Sequence, residues 1–285
     1  MLFIVMSVLW GMPYLLIRIA VGSIDPLVVA GSRTLIGALL LLPVALHRNA
    51  LAPAFRHWPW LLAFTLIEIS IPWVTLGHAE TRLNSSTAGL LIAVVPLFAA
   101  IIVSRLGHER LEPRRIFGLA LGFAGVALLV GLDIDFHDWL AVAGTVLVSL
   151  CYAIGPIIVD RKLKDVPAIG VVAASLMLAT LMYAPFVPFF WHGDVTAAGI
   201  GSVVGLGVLC TALAFVVFFA LIAEIGPARA TVITYVNPAV AIVLGALVLH
   251  EPLTAGMMIG FPLVIVGSFL GTTRARAAAA PEPAS

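Results

Sequence analysis

Two charged side chains interrupt long apolar runs, and both could do chemistry there. Arg33 lies in the apolar run 25–46, and Glu68 lies in the run 58–80. At about 1.5 Å per residue, Arg33 would sit roughly 12 Å and Glu68 roughly 18 Å from the outer end of its run. A charge in hydrocarbon is costly, so each side chain should face a partner or water. Glu68 is therefore a candidate proton-coupling site or ammonium counter-charge, and Arg33 is a candidate ligand for a carboxylate or phosphate.

Purely structural roles compete with these interpretations. Arg33 and Glu68 could form an ion pair between neighbouring helices, or Arg33 could reach the membrane interface along its aliphatic stem. The sequence leaves both alternatives open.

Aromatic and polar residues recur at helical spacing in three further runs. Trp10 and Tyr14 share one face of the first run with Ser7 and Arg18, and Tyr152 lies on the corresponding face of the sixth run. The stretch "TVITYVNPA" adds four polar side chains in the ninth run, those of Thr231, Thr234, Tyr235 and Asn237. Any one of these side chains could instead pack in the interior or hydrogen-bond two helices together. As a group, they predict the lining of a cavity. The predicted substrate-binding residues are Trp10, Tyr14, Arg33, Glu68, Tyr152, Thr234, Tyr235 and Asn237.

Prolines inside the apolar runs are candidate hinges. Proline removes one backbone hydrogen bond and frees a carbonyl, which bends a helix. We expect the gating positions to be Pro72, Pro96, Pro156 and Pro238.

The dipeptide His-Glu occurs twice, in "GHERL" at 107–111 and in "LHEPL" at 249–253. A zinc-binding HExxH motif needs a second histidine, but position 112 is Glu and position 254 is Thr. The alternative is a helix-end signal, with Pro113 in a first helical turn and Thr254 as a cap. We therefore expect neither a metal nor a cofactor.

The composition defines the solvent that these residues meet. Of 285 residues, 62% are hydrophobic and 10% are charged, and the mean hydropathy is +1.17. A bilayer core about 30 Å thick is crossed by roughly 20 apolar residues. Runs of this kind fill the chain, and they predict ten transmembrane helices at 2–19, 25–46, 58–80, 85–104, 115–131, 139–159, 167–190, 198–222, 228–249 and 255–272.

Lysine and arginine concentrate in alternate loops. An orientation with both termini in the cytoplasm puts most of them inside the cell and leaves only Arg18 and Arg82 in outer loops. The Ala/Pro-rich tail, residues 273–285, is predicted to be a disordered cytoplasmic segment.

One constant offset of 142 residues relates the two halves. It pairs the two His-Glu copies, Pro96 with Pro238, and Gly125 with Gly267. Such an offset indicates a duplication, with units 1–142 and 143–272. Because each unit has five spans, an odd number, the second must enter the membrane from the opposite side. Inverted repeats of this kind place a transport site at the repeat interface near the bilayer midplane.

Two stretches resemble the EamA family of the drug/metabolite transporter superfamily. They are "SVLWGMPYLLIR" in the first run and the unit from "NSSTAGLLIAVVP" to "GHERLEPRRIFGLALGFAGVALLVG", with its second-half partner. The resemblance implies a bacterial inner-membrane exporter of small metabolites such as amino acids. The second half departs from the pattern, since Tyr152-Ala153 stand at the Trp-Gly position.

These observations predict an all-α secondary transporter with two inverted five-helix repeats and alternating access. A passive channel and an intramembrane enzyme using Glu68 and His78 are the alternatives. No Walker-type Gly-rich loop is present, which argues against ATP-driven pumping. The expected partners are a small-molecule substrate, the lipid bilayer and, as a candidate coupling ion, the proton. No nucleic-acid partner is expected, and both a monomer and a homodimer fit.

Overall fold

The computed structural model describes residues 1–106, 113–133, 136–191, 193–225 and 233–272. Helices dominate these residues, which contain no strand. In chain order the long helices are α1 (Leu2–Ala20), α2 (Pro26–His47), α3 (Trp58–Glu80), α4 (Ser85–Arg105), α5 (Pro113–Asp133), α6 (Trp139–Lys162), α7 (Ala168–Tyr183), α8 (Ala197–Ile225), α9 (Ile233–Val248) and α10 (Ala255–Thr272). Short turns of helix occupy Leu51–Arg56, Phe136–Asp138 and Val187–Phe190.

Seven of these helices are long and apolar enough to cross a membrane, and α7, α9 and α10 are shorter apolar helices. The prediction of an all-α membrane protein is therefore confirmed. The seventh helix is shorter than its predicted run, because α7 ends at Tyr183 and a separate turn starts at Val187. Pro185 lies between them, and proline removes one backbone hydrogen bond of a helix, which favours an end there. The first His-Glu copy and the tail lie outside the described residues.

Several helices are interrupted within their length. α1 changes direction at Met12, before Pro13, and α4 is broken by a turn at Ala93 and Val94. α3 and α8 instead each contain a π-helical segment, at Thr65–Ser70 and Val208–Leu213. The two π segments are 143 residues apart, so they fall at nearly equivalent places in the two halves. π-Helical turns release backbone groups from the regular ladder and often occur at functional sites.

Glycines allow α5 and α10 to pack with their backbones in contact. A methyl group built on Gly118 would lie 2.8 Å from the carbonyl oxygen of Gly267, and one on Gly125 would lie 2.8 Å from that of Gly260. α5 and α10 therefore run antiparallel, and the 142-residue offset exchanges the two glycine pairs. Arg115 adds a hydrogen bond from Nε to the carbonyl of Gly271, at 3.0 Å.

Other equivalent helices also meet across the middle of the molecule. α2 contacts α7, and α4 contacts α9. A methyl group on Gly37 of α2 would lie 3.2 Å from a methyl carbon of Leu176 on α7, and one on Gly89 of α4 would lie 2.7 Å from Cβ of Ala241 on α9. Small residues are thus placed where two helices approach closely, as is typical in membranes.

Replacing Gly267 with alanine is expected to destabilise the protein. The new methyl group would overlap the backbone of Gly122, and overpacking of this kind costs about 1–3 kcal/mol. Thermal unfolding of purified protein should show a lower Tm for Gly267→Ala. Gly131→Ala in α5 is the matched control, since nothing lies within 4 Å of a methyl group there. Equal Tm values for the two variants would contradict close packing of α5 on α10.

Candidate functional site

Arg33 of α2 lies in the interior, with 7% of its surface exposed. Its Nε donates a hydrogen bond to Oγ1 of Thr211 on α8, at 2.9 Å. The guanidinium lies over the ring of Trp73 on α3, 3.7 Å from the ring centroid. A desolvated cation–π contact is worth about 2 kcal/mol, so these contacts offset part of the cost of burial. The terminal nitrogens of Arg33 have no hydrogen-bond partner among the described residues.

The two π segments supply backbone and side-chain groups around this arginine. Thr211 lies in the π segment of α8, and its hydroxyl also donates to the carbonyl of Leu206, at 2.9 Å. Ser70 lies in the π segment of α3, and its carbonyl accepts a hydrogen bond from the hydroxyl of Tyr183 on α7, at 2.6 Å. Backbone carbonyls at the two π segments are therefore paired with hydroxyl groups, one from the same helix and one from α7, as an apolar interior requires.

Glu68 lies in the π segment of α3 and is half-buried. Its Oε2 is buried and has no hydrogen-bond partner. The carboxyl group occupies space left open by Gly155 of α6, since a methyl group at that glycine would overlap it. The alternative of an Arg33–Glu68 ion pair is not realised, because Arg33 bonds to Thr211 and stacks on Trp73 instead.

Two tyrosines lie near Arg33, and one of them also lies near Glu68. Tyr14 is buried, and Tyr152 packs against both large interior clusters of apolar residues. The phenol groups of both interact electrostatically with Arg33, and Tyr152 also does so with Glu68. Four of the eight predicted binding residues thus come together. We call the group that they form with their new partners the central cluster; its members are Tyr14, Arg33, Glu68, Trp73, Tyr152 and Thr211.

Trp10 belongs to a neighbouring aromatic group. Its ring centroid lies 4.6 Å from that of Phe218 and 6.0 Å from that of Phe215, both on α8. All three side chains are half-buried.

The predicted polar residues of α9 point to other helices. The hydroxyl of Tyr235 donates to the carbonyl of Ser268 on α10, at 3.3 Å. The amide nitrogen of Asn237, with the amide oriented to donate, reaches the carbonyls of Ser7 at 3.3 Å and Ile233 at 3.0 Å. Thr234 is half-buried in the first turn of α9. The contacts of Tyr235 and Asn237 join helices, as the structural alternative expects, and do not involve Arg33 or Glu68.

The four predicted hinge prolines differ in setting. Pro72 follows the π segment of α3, and Pro96 follows the break in α4. Pro156 and Pro238 lie inside α6 and α9, which are uninterrupted. At the α4 break, Oγ of Ser149 donates to the carbonyl of Leu91 at 3.2 Å, and Oγ of Ser268 donates to that of Ala93 at 3.3 Å.

Three residues that make important contacts were not predicted from the sequence: Thr211, Trp73 and Tyr183. Thr211 is opposite Ile69 at the 142-residue offset, so its one-sided polarity could have identified it. Trp73 is opposite Phe215 and therefore looks like shared scaffold. Tyr183 lies at the end of α7, where only the fold shows that its hydroxyl turns inward.

The segment of the second His-Glu copy caps two helices: α10 through Thr254, as predicted, and also α4 through Glu251. Glu251 accepts hydrogen bonds from the backbone N–H groups of Ser85 and Ser86, at 2.7 and 3.0 Å, and from Oγ of Ser86 at 2.5 Å. It therefore caps the start of α4, while Thr254 caps α10 by accepting from the N–H of Met257 at 3.2 Å. The described residues contain no cluster of three His, Cys, Asp or Glu that could hold a metal.

Comparison with known proteins agrees with this fold. A sequence profile of the EamA-like transporter family matches residues 1–131 and 139–273. The chain is 30% identical to the uncharacterized transporter YvbV of Bacillus subtilis, over 95% of this chain and 90% of that protein. It is also 30% identical to the uncharacterized inner membrane transporter YedA of Escherichia coli K12, over 84% of this chain and 78% of that protein.

A further relative carries a more specific name. The chain is 26% identical to a probable terminal-alkyne amino-acid exporter of Streptantibioticus cattleyicolor, over 93% of this chain and 87% of that protein. A crystal structure with 19% sequence identity superposes with a TM-score of 0.69 and covers 95% of this chain and 96% of its own, which shows a shared fold. With its apolar helices and a family profile that matches both halves, the chain belongs to the EamA-like transporter family and is an integral inner-membrane protein.

Proposed function

We propose that this transporter exports small amphipathic metabolites, with amino acids as the substrate class, by alternating access. The observation that carries the proposal is the central cluster. The terminal nitrogens of Arg33 are available for a carboxylate, and the unpartnered carboxyl of Glu68 is available for an ammonium group or a proton. Guanidinium groups bind carboxylates with two parallel hydrogen bonds, and the contact with Trp73 helps to hold the guanidinium of Arg33 in place. The name of the Streptantibioticus relative supports the same substrate class.

The architecture that we propose is a pair of inverted five-helix repeats, residues 1–142 and 143–272, with both termini in the cytoplasm. Two observations support it. The π segments of α3 and α8 fall at nearly the same place in the two halves, and the glycine contacts of α5 and α10 exchange under the offset. The asymmetry of Lys and Arg between alternate loops supports the orientation.

The movement follows from where the helices are irregular. The π segments of α3 and α8 border Arg33 and Glu68, and bending there would change access to the central cluster from one side to the other. α5 and α10 pack too closely to slide, so they would serve as the fixed axis. Alternating access in inverted repeats is largely a rocking of one unit against the other.

The intramembrane-enzyme alternative loses support in this geometry. Its acid/base pair was Glu68 and His78, but the imidazole of His78 is exposed and Nδ1 contacts the carbonyl of Val74, at 2.9 Å. Glu68 faces Gly155 in the interior. An acid and a base that act together must reach the same substrate, and these two face different surroundings.

Glu68→Gln is expected to reduce transport or its dependence on pH while leaving the fold intact. The amide has nearly the same shape but cannot exchange a proton. The measurement is counterflow in proteoliposomes that are preloaded with unlabelled amino acids and given labelled tracer outside, with and without a pH gradient. Glu224→Gln, at an exposed carboxylate of α8, is the control. If Glu68→Gln transports at the wild-type rate at every pH, the proton-site proposal is wrong.

Arg33→Lys is expected to weaken substrate binding about tenfold, which corresponds to about 1.4 kcal/mol. Lysine keeps the charge but loses the Nε–H bond to Thr211, the planar stacking on Trp73 and the bidentate geometry. The half-saturation concentration in the counterflow assay measures the effect. Arg82→Lys, at an exposed arginine, is the control. An unchanged half-saturation value for Arg33→Lys would argue against carboxylate binding at this position.

Asn237→Ala is expected to raise the half-saturation concentration by shifting α9 relative to α1. It should also lower the thermal stability by about 1 kcal/mol, because an interhelical hydrogen bond is lost. Measuring Tm and counterflow on the same preparation separates the two effects. A lower Tm with unchanged half-saturation would mean that Asn237 only joins the helices.

A further inference from the structure

A second buried carboxyl group lies away from the central cluster. Glu80, the last residue of α3, has no exposed surface, and neither of its carboxyl oxygens has a hydrogen-bond partner. It is twelve residues beyond Glu68 on the same helix, next to the turn that leads into α4. Leaving an ionised carboxylate buried without donors costs several kcal/mol. The group must therefore be neutral or bind a positive charge.

The surroundings of Glu80 contain one satisfied carboxylate and one cation. Glu251 is stabilised by three donors at the positive end of α4, so its negative charge is well placed. Arg18 of α1 does not pair with the Glu80 carboxyl; its Nη1 donates to the backbone carbonyl of that residue, at 2.5 Å. Glu80 thus lies close to both charged groups: the electrostatic interaction with Arg18 favours a negative charge on its carboxyl, and that with Glu251 opposes it.

A further polar group is buried beside the same carboxylates without a partner. Ser85, at the start of α4, is fully buried, and its Oγ has no hydrogen-bond partner. A methyl group on Gly245 of α9 would lie 2.8 Å from this oxygen and would overlap Oε2 of Glu251. The small residue at 245 therefore leaves room for a compact polar pocket. We call this region, made of Arg18, Glu80, Ser85, Ser86 and Glu251, the Glu251 end.

Few other titratable groups face Glu80. Tyr14 from α1 and Arg33 from α2 also interact with it electrostatically. α6 meets this part of α3 through Ala141 and Gly144, which do not titrate. The first turn of α4 adds only serine and threonine side chains. The charge balance of the Glu251 end is therefore decided by Arg18, Glu80 and Glu251.

We propose that Glu80 is a proton-binding site that the transport proposal does not use. Its carboxyl holds a proton while the Glu251 end is packed, and it releases that proton to water when α4 and the segment 249–254 separate from α3. Loss of the proton would leave two carboxylates beside one arginine, and their repulsion together with hydration would favour the opened form. Because one proton is bound by the packed form and not by the open form, raising the pH shifts the equilibrium towards opening by up to about tenfold per pH unit.

Infrared spectroscopy of the purified protein in lipid tests the protonation state directly. The carbonyl stretch of a protonated carboxyl should be present in the wild type and reduced in Glu80→Gln. Glu224→Gln, at an exposed carboxylate, should leave it unchanged. The spectrum of Glu68→Gln serves as a comparison. A band that is lost in Glu80→Gln and kept in Glu68→Gln belongs to Glu80. An identical band in wild type and Glu80→Gln would show that Glu80 is ionised, and the proposal would be overturned. The measurement needs no substrate, so its result is independent of the transport proposal.

Distances between spin labels test the coupling to opening. Labels at Arg82→Cys and Leu253→Cys, both exposed positions, would report on the Glu251 end, in a protein whose two cysteines are replaced by alanine. A longer distance should become more populated in the wild type as the pH rises from about 6 to about 9, and Glu80→Gln should keep the short distance throughout. The same pH response in both proteins would overturn the coupling. Glu80→Asp, which still titrates, serves in the same assay if Glu80→Gln does not fold, and its distance should remain dependent on pH.

Discussion

The buried guanidinium of Arg33 is the constraint around which the interior is organised. A permanent charge in an apolar medium requires several contacts at once, and here they come from a tryptophan of α3 and a threonine of α8. One side chain of α2 therefore ties together helices from both halves. Because its terminal nitrogens are left over after these contacts, the arrangement stabilises the interior and still offers a place for an anionic group.

The irregular helices follow from the same need to pair polar groups away from water. The π segments of α3 and α8 free backbone carbonyls, and hydroxyl groups of Tyr183 and Thr211 pair with them. The break in α4 is covered in a similar way by Ser149 and Ser268. At the π segments and the α4 break, hydrogen bonds from side-chain hydroxyls take the place of backbone hydrogen bonds. Since a hydroxyl can rotate away, the helices are stable when packed and can still bend there.

The two halves share a scaffold and differ in chemistry. Glycines at equivalent positions of α5 and α10 allow the closest helix contact, and close packing tolerates almost no variation. The charged and unpaired groups are asymmetric, since Arg33 and Glu68 stand opposite Ser175 and Cys210 at the offset. Glu251 caps the start of α4, beside the buried carboxyl of Glu80.

The sequence by itself determined the membrane environment, the positions of most helices and the two interior charges. The length of an apolar run, and the presence of a charged residue within it, are properties of a short stretch of sequence. They can therefore be recognised before the fold is known. The partners of those charges were decided by the tertiary structure, because Thr211 and Trp73 approach Arg33 only when α3 and α8 pack against α2. The same holds for Asn237, whose amide reaches a carbonyl of α1, and for the burial of Glu80, which the sequence did not indicate. Whether a polar side chain meets water, another helix or nothing depends on residues far away in the chain, and only the packed structure brings them together.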